Sequence, residues 1–219
     1  MKKLAMLLVF ALTLLVGMHS LYAQQGSKEQ KKAEKAFKKE VKAMKRQGWK
    51  VAPGNLSLEL QLQESYQKAL ERDENGFEKY LTGEAMSVAE NYDAALFQAS
   101  NLAKLDLAGK IQTEVTELIE SKLASKQLTQ KEAVSLAESV SSCQSKVSQR
   151  LGRVLTPIKI YRDLDNGNVE VRTVIYYSHE QALEVLSQTV LEDLEDKKDE
   201  LAADVDHVLN VLMSKYGAE

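Results

Sequence analysis

The fold is decided by the stretch RVLTPIKIYRDLDNGNVEVRTVIYY, residues 153–177, which has the strongest strand pattern in the chain. Two runs rich in Val, Ile, Thr and Tyr flank a short polar turn, in which Asn166-Gly167 can supply the positive φ angles of a tight hairpin. Apolar and polar residues alternate over residues 168–177, and this alternation predicts one buried face and one wetter face. Pro157 places the first run at a sheet edge or at a bulge.

Helical spacing of apolar residues dominates the part of the chain before this predicted hairpin. Residues 57–71 predict a helix with Leu58, Leu62 and Tyr66 on one side. A strand is predicted over residues 80–88, and the strongest helix of the chain follows it. The apolar stripe of that helix consists of Leu96, Ala99, Ala103, Leu107, Ile111, Val115 and Leu118.

Two further helices are predicted on either side of the hairpin. Thr129 and Glu132 have the spacing of a capping box, which opens a helix that runs to Gly152. Ser178 opens the last helix, and the fully charged run 195–200 can break it. This order of elements predicts an α+β fold: a small antiparallel sheet of about three strands, covered by a long helical hairpin and a C-terminal helix.

Composition excludes several classes of protein. The chain has 219 residues, of which 44% are apolar and 28% charged, with two Pro and one Cys. These values exclude a collagenous, a disulfide-stapled and a wholly disordered chain. A typical domain has about 150 residues, so we expect one domain, or one domain with an appendage.

The N-terminal segment has the pattern of an export signal. Lys2 and Lys3 precede an uncharged apolar run over residues 4–18, and Ala23 suits cleavage by signal peptidase. The run is shorter than the roughly 20 residues of a spanning helix, so we expect no transmembrane segment in the mature chain. The prediction is an exported, periplasmic protein of a Gram-negative cell, with peripheral association with the outer membrane as one option. Its parts are a signal peptide (1–23), a basic amphipathic helix with a linker (24–54) and a single α+β domain (55–219).

Charge is concentrated in one segment of the mature chain. Residues 28–46 contain nine Lys or Arg against three Glu, a net charge of +6. The chain after Ala23 has 27 basic and 32 acidic residues, so the remainder carries a net charge of −11. Phe37, Val41 and Met44 recur at helical spacing within the basic segment, which predicts an amphipathic basic helix.

This basic helix has two interpretations. In the first, Lys31, Lys35, Lys38 and Lys42, together with Trp49, contact an envelope protein or an anionic envelope component. In the second, the apolar side docks on the acidic body and the lysines stay solvated, which the net charge of the body favours. Nucleic acid is not expected as a partner, because no aromatic residues interleave with the lysines and export removes the protein from the cytoplasm. The oligomeric state stays open.

Sequence motifs for catalysis or metal binding are weak. Residues 71–82 resemble a calcium loop, but Thr82 occupies the position of the bidentate acid, so a turn is the better explanation. Cys143 lies in an apolar helical stripe, which indicates a core residue rather than a nucleophile. His179 is expected in the first turn of its helix. We therefore predict no catalytic residue, no cofactor and no metal ligand.

Alanine-rich spacings carry one resemblance to a known family. The residues concerned are Gly83-Glu84-Ala85, Ala94-Ala95, Ala99, Ala103-Lys104-Leu105-Asp106-Leu107-Ala108 and Val169-Glu170-Val171-Arg172. Over roughly residues 80–178 the chain resembles the Lpp-twenty-type lipoprotein domain of Gram-negative envelopes. It is also similar to uncharacterised secreted proteins of Gram-negative anaerobes that carry Gly48-Trp49-Lys50 and Tyr92-Asp93-Ala94-Ala95 segments. The resemblance implies an envelope location and an α+β module, and it supplies no catalytic residue. This chain has no lipid-bearing Cys at the predicted cleavage site.

Two functions of different classes follow from these observations. The first is a non-enzymatic exported interaction module, associated with the envelope, whose partner the sequence does not identify. The alternative is a secreted hydrolase with a carboxylate site near the hairpin over residues 163–170, built from Asp163, Asp165 and Glu170. An enzyme needs convergent acids with displaced pKa values in a concave site, whereas a module needs none.

Overall fold

The structure is a computed structural model in which residues 35, 37–74 and 76–197 are described. The chain divides into two compact units, Met1–Gly48 and Trp49–Glu219. In the first unit, residues 37–46 form a helix, α1, in agreement with the helical part of the prediction for the basic segment. The predicted signal peptide, Lys31, and the chain after residue 197 lie outside the described residues, so the predictions made for them stay predictions.

The second unit contains a three-stranded antiparallel sheet and five helices among its described residues. Its elements are α2 (Leu58–Leu70), β1 (Tyr80–Ala89), α3 (Tyr92–Ala124), α4 (Gln130–Ser142), α5 (Gln144–Arg150), β2 (Leu155–Asp163), β3 (Val169–Ser178) and α6 (His179–Asp196). The strand order is β1-β3-β2, so β3 is central and the other two strands form the edges. The predicted α+β fold with a small antiparallel sheet is confirmed.

Side-chain caps begin four helices, and those at residues 57, 129 and 178 confirm the predicted starts. The side chains of Ser57, Asn91, Thr129 and Ser178 each accept a hydrogen bond from a backbone N–H in the first turn of the following helix. At Thr129 the reciprocal bond is also present, because Glu132 accepts from the Thr129 N–H at 2.6 Å. The local sequence therefore determines where these helices begin.

Both faces of the sheet are covered over the C-terminal half of β3. On one face Ile175 and Tyr177 belong to the main core with residues of α3, α4 and α6. On the other face the hydroxyl of Tyr176 donates to the backbone oxygen of Ser65 in α2 at 3.0 Å. The predicted wetter face is therefore wrong for this half of the strand, because α2 packs on it and buries Val174 and Tyr176.

Three details of the helices differ from the sequence prediction. Tyr66 is 47% exposed, and Ser65 takes the buried position in α2. In α3 the buried stripe begins with Ala95 instead of Leu96. The helix predicted from Thr129 to Gly152 is interrupted at residue 143 and forms α4 and α5.

A shifted backbone hydrogen bond marks this interruption. In a continuous α-helix the Cys143 N–H would bond to the Ser139 carbonyl four residues back. It bonds instead to the Val140 carbonyl at 3.3 Å, so the last turn of α4 tightens and the helix restarts at Gln144.

The hairpin between β2 and β3 agrees with the prediction in position and differs in its turn. Gly167 has a φ of 84°, but Asn166 has no positive φ, so the turn is not the two-residue Asn-Gly type. The Gly167 N–H bonds to the Leu164 carbonyl at 3.0 Å within a longer loop. The register shifts between Leu155 and Ile158, which confirms the bulge that Pro157 predicts in an edge strand.

A close approach joins β1 to α3. A Cβ atom at Gly83 would lie 2.2 Å from the Ala103 carbonyl oxygen and 2.9 Å from the Leu107 Cβ. Only a residue without a side chain fits this distance, so Gly83 allows the strand to lie directly against the helix backbone. The position of α3 along β1 is fixed here, and it determines which part of the strand edge α3 can reach.

Candidate functional site

The carboxylates of the predicted hydrolase site do not converge. Asp163 pairs with Val169 and Glu170 pairs with Arg162 across the hairpin, so the two acids point to opposite faces of the sheet. Asp163 forms an ion pair with Lys50 at 2.6 Å, and Glu170 forms one with Arg162. Asp165 is an exposed residue of the turn. The arrangement lacks the facing pair of acids that glycoside hydrolysis requires.

The predicted partner-contact residues fall into two groups. Lys35, Lys38 and Lys42 are exposed residues of the first unit. Trp49 belongs to the second unit, where it is buried and the Arg162 guanidinium lies 4.8 Å from the centre of its ring. Trp49 therefore has the environment of a packed residue with a cation–π contact, while the role of the lysines stays a prediction.

Cys143 lies in a buried polar junction between α4, α5 and α6. Its side chain is fully buried, and its Sγ donates to the Thr189 carbonyl at 3.6 Å. Burial raises the pKa of the Cys143 thiol, so the reactive thiolate is disfavoured at neutral pH. The position agrees with the predicted core role.

Asp193 in α6 is the charged centre of the same junction. It accepts a hydrogen bond from Ser142 at 3.2 Å and forms an ion pair with Lys197 at 2.7 Å. Burial acts to raise the pKa of Asp193, but the bonds from Lys197, Ser139 and Ser142 outweigh burial and lower it. These contacts hold α6 against α4 and leave Asp193 ionised, which is the behaviour of a structural carboxylate.

The loop that resembles a calcium site is a turn closed by its own residues. Asp73 accepts a hydrogen bond from the Phe77 N–H at 2.8 Å, and Glu71 pairs with Lys68 at 2.6 Å. Within residues 37–74 and 76–197, no group of three or more His, Cys, Asp or Glu side chains is placed to hold a metal ion. In the same part of the chain, no helix has the length and apolar character to cross a bilayer.

His179 occupies the first turn of α6, as predicted, and links three elements. Its backbone N–H donates to the Lys79 carbonyl at 3.0 Å, just before β1. Its Nε2 lies 3.1 Å from Oε2 of Glu114 in α3, close enough for an ion pair although not aligned as a good hydrogen bond. Burial acts to lower the pKa of His179, but Glu114 and the Glu78 carbonyl outweigh burial and raise it.

A groove of about 460 Å³ lies between α3 and the α4–α5 segment. Its lining is polar and consists of Gly109, Gln112, Thr113, Thr116, Glu117, Glu120, Ser141 and Gln144. These side chains can donate and accept hydrogen bonds, but they include no nucleophile paired with a base.

The outer edge of β2 is closed by other parts of the unit. The Lys50 N–H donates to the Tyr161 carbonyl at 2.7 Å, and the Tyr161 N–H donates to the Lys50 carbonyl at 2.9 Å. Two residues along the strand, the Lys159 N–H donates to Oε1 of the buried Gln61 at 2.8 Å. These bonds satisfy three of the backbone groups that this edge strand would otherwise present to a partner.

The outer edge of β1 is closed over its first half by side chains of α3. The Glu84 N–H donates to Asp106 Oδ2 at 2.9 Å, and Lys110 Nζ donates to the Thr82 carbonyl at 2.8 Å. Asp106 and Lys110 also form an ion pair at 2.9 Å. The outward direction of these backbone groups identifies the even-numbered residues of β1 as those that face away from β3.

The second half of the β1 edge is open. By the same alternation, Met86 and Val88 direct their N–H and C=O groups outward. Among the described residues, none forms a hydrogen bond with these outward groups. Their side chains are 55% and 45% exposed, although both are apolar. The open segment of β1, residues 86–88, therefore presents unpaired backbone and apolar side chains together.

An apolar residue of α3 lies beside the open segment. Gln98 accepts a hydrogen bond from the Ser87 hydroxyl at 2.6 Å, and Asp106 reaches the Glu84 N–H. Leu102 is one helical turn from each of them, so it lies between them along the same side of the helix. Leu102 is 46% exposed. The open segment thus has exposed apolar side chains on both faces of the strand.

Comparisons with known proteins add no assignment. No protein-family model, no curated protein and no solved structure matches the chain. The resemblance to the Lpp-twenty-type lipoprotein domain therefore stays a prediction from the sequence.

Sequence reasoning missed the open edge of β1. The alternation of Glu84, Met86 and Val88 along one face is visible in the sequence and indicates a face that is not fully buried. The strand order β1-β3-β2 is not visible there, and it is this order that makes β1 an edge.

Proposed function

We propose that this protein is a non-enzymatic interaction module, exported to the periplasm and associated with the cell envelope, which binds a protein partner along the edge of its sheet. The observation that carries the proposal is the open segment of β1, where Met86 and Val88 expose both backbone and apolar side chains. Proteins ordinarily cover or charge such an edge, so an uncovered apolar one marks an interaction site. The signal-like N-terminal segment supports export, and the family resemblance supports an envelope location.

Photo-cross-linking in intact cells tests this function. A benzoylphenylalanine residue is incorporated in place of Met86 in the full chain, and in place of Lys126, in the loop between α3 and α4, as the matched control. We expect a discrete protein adduct at position 86, recovered with the envelope fraction, and no adduct of that size at position 126. Equal adducts at both positions, no adduct at either, or recovery with the cytoplasmic fraction would contradict the proposal.

A deletion separates the edge from the basic segment. A chain that lacks residues 24–47 is compared with the full chain, both carrying the cross-linker at position 86. If the adduct persists but leaves the envelope fraction, the basic segment supplies envelope attachment and the edge supplies partner binding. If the adduct disappears while the shortened chain stays folded, the basic segment takes part in partner binding, and the edge alone does not suffice.

A further inference from the structure

We infer that the partner of the open segment of β1 is an extended protein segment, with apolar residues at alternating positions flanked by Lys or Arg, which joins the sheet as a fourth strand. The inference rests on the proposed function and specifies its ligand. Backbone geometry, side-chain surroundings and charge support it separately.

The backbone of β1 offers a short ladder. Met86 and Val88 each present one N–H and one C=O outward, so an added strand forms up to four backbone hydrogen bonds with them. Asp106 already binds the Glu84 N–H, and Lys110 already binds the Thr82 carbonyl. The ladder is therefore limited at its N-terminal end by α3, and the partner overlaps with the strand only from residue 86 onward.

Side chains on both faces of the open segment favour apolar residues in the partner. Met86 and Val88 lie on the face away from α3, and Leu102 flanks the strand on the other face. An added strand directs successive side chains to alternate faces, so those on one face meet Met86 and Val88, and those on the other lie near Leu102 and the Ser87–Gln98 pair. A polar segment would pair its backbone equally well but would leave these side chains in contact with water.

The charges just beyond the open segment favour basic residues at the end of the partner's apolar stretch. Glu90 and Asp93 are exposed just beyond the open segment, and neither forms an ion pair with another described residue. The sequence has no Lys or Arg between residues 80 and 103. A segment with Lys or Arg next to its apolar residues thus gains opposite charges at this end of the strand, and an acidic segment is repelled.

The same charges argue against a second copy of this chain as the partner. When two β1 strands pair antiparallel with Met86 opposite Val88, Glu84 of each copy lies opposite Glu90 of the other. Like charges directly opposite each other on neighbouring strands are destabilising. Self-pairing in this register therefore places two acidic pairs at the ends of a ladder of only two outward residues per chain, which disfavours it.

Binding of synthetic peptides to the purified full chain tests the inference. The probe is Lys-Lys-Thr-Val-Ile-Val-Thr-Lys-Lys with a fluorescent label, which places Lys beside Glu90 in either strand direction, and its binding is measured by anisotropy up to millimolar protein. Two modified forms carry N-methyl groups on alternate residues, one form on each of the two alternating sets. We expect one N-methylated form to bind like the parent and the other to lose about tenfold in affinity, because only one set donates to β1. Equal effects in both forms, or no binding of the parent peptide, would overturn the inference.

Protein variants locate the binding. Met86→Lys combined with Val88→Lys should abolish measurable binding of the parent peptide, whereas Leu70→Lys, at a 73% exposed apolar position of α2, should leave it unchanged. Glu90→Lys should weaken binding of the parent peptide and strengthen binding of a peptide that carries Glu-Glu in place of Lys-Lys. Circular dichroism shows whether each variant keeps its fold. Loss of binding in Leu70→Lys, or unchanged binding in the double variant, counts against the edge.

Failure of this inference and failure of the proposed function give different results. An adduct at position 86 in cells without peptide binding keeps the interaction module and overturns strand addition. Peptide binding that obeys the N-methyl pattern, without any adduct in cells, supports strand addition and contradicts the envelope function.

Discussion

The two edges of the sheet belong to one small domain, yet the outward backbone groups of β2 and β1 have different hydrogen-bond partners. At β2, the Lys50 backbone satisfies both outward groups of Tyr161, and the Gln61 side chain satisfies the Lys159 N–H. At β1, side chains of α3 satisfy the Glu84 N–H and the Thr82 carbonyl, and the open segment has no such partner among the described residues. The groups that close the β2 edge come from segments about 100 residues away in sequence. Holding these segments in place costs conformational entropy. Natural proteins ordinarily cover or charge the edges of a sheet, and the apolar open segment of β1 departs from that rule.

The largest effect is expected where β1 lies against α3. Gly83→Ala would place a methyl group 2.2 Å from the Ala103 carbonyl oxygen, which is backbone and cannot move aside alone. We expect the free energy of unfolding to fall by about 3 kcal/mol or more, because the strand must separate from the helix. Urea denaturation followed by circular dichroism measures this change.

Gly152→Ala is the matched control, since a Cβ atom there meets nothing within 4 Å. We expect its free energy of unfolding to stay within about 0.5 kcal/mol of the original. If both glycine variants were equally stable, the close approach would not fix α3 along β1, and the boundary between the closed and open halves would lose its explanation.

The second prediction opens the closed edge of β2. Gln61→Ala removes the acceptor of the Lys159 N–H and the donor to the Leu56 carbonyl, both at 2.8 Å. Because Gln61 is buried, we expect a loss of about 1–3 kcal/mol in the free energy of unfolding and faster amide exchange at Lys159. Gln63→Ala, at an exposed position of the same helix, should change neither quantity. Unchanged exchange at Lys159 in Gln61→Ala would mean that another group closes this edge.

The third prediction concerns pH and the start of β1. Burial acts to lower the pKa of His179, but Glu114 and the Glu78 carbonyl raise it above its ordinary value of 6.5, with Asp73 also acting to raise it. Folding therefore favours the protonated ring. This stabilisation is fully present below the pKa of the unfolded state and is lost as pH rises through the higher folded pKa. His179→Gln should lower stability by about 1 kcal/mol or less at acidic pH and have a smaller effect at alkaline pH.

Two variants of α3 show whether this dependence arises from the ion pair. Glu114→Gln should reduce the pH dependence as His179→Gln does, whereas Glu117→Gln, at an exposed position one turn away, should keep it. Thermal unfolding from about pH 5.5 to about pH 8.5 gives the comparison. If the stability of the original protein rose with pH in this range, the change would have the wrong sign for a raised His179 pKa.

The sequence predicts the helices and strands of this fold better than it predicts which of them lie next to each other. Capping side chains such as Asn91 and Thr129 bond to backbone groups within three residues, so the starts of helices can be predicted from the local sequence. The break at Cys143 lies beside a contact between Ser142 and Asp193 in α6, 51 residues away, which the local sequence does not reveal. The candidate site is harder still to predict. Whether Met86 and Val88 are open depends on which strand takes the centre of the sheet and on where Gly83 fixes α3.

The smallest effect is expected at the ion pair that accompanies the closed edge. Lys50 and Asp163 are bonded at 2.6 Å, but both side chains are more than half exposed, so water and salt screen their attraction. Lys50→Ala removes the ion pair and keeps both backbone bonds to Tyr161. We expect no measurable change in stability and unchanged amide exchange at Tyr161. Faster exchange at Tyr161 would mean that side-chain charge closes the β2 edge. In that case the lack of backbone partners at Met86 and Val88 would not be enough to call this part of β1 open. The charges around it would have to be considered as well.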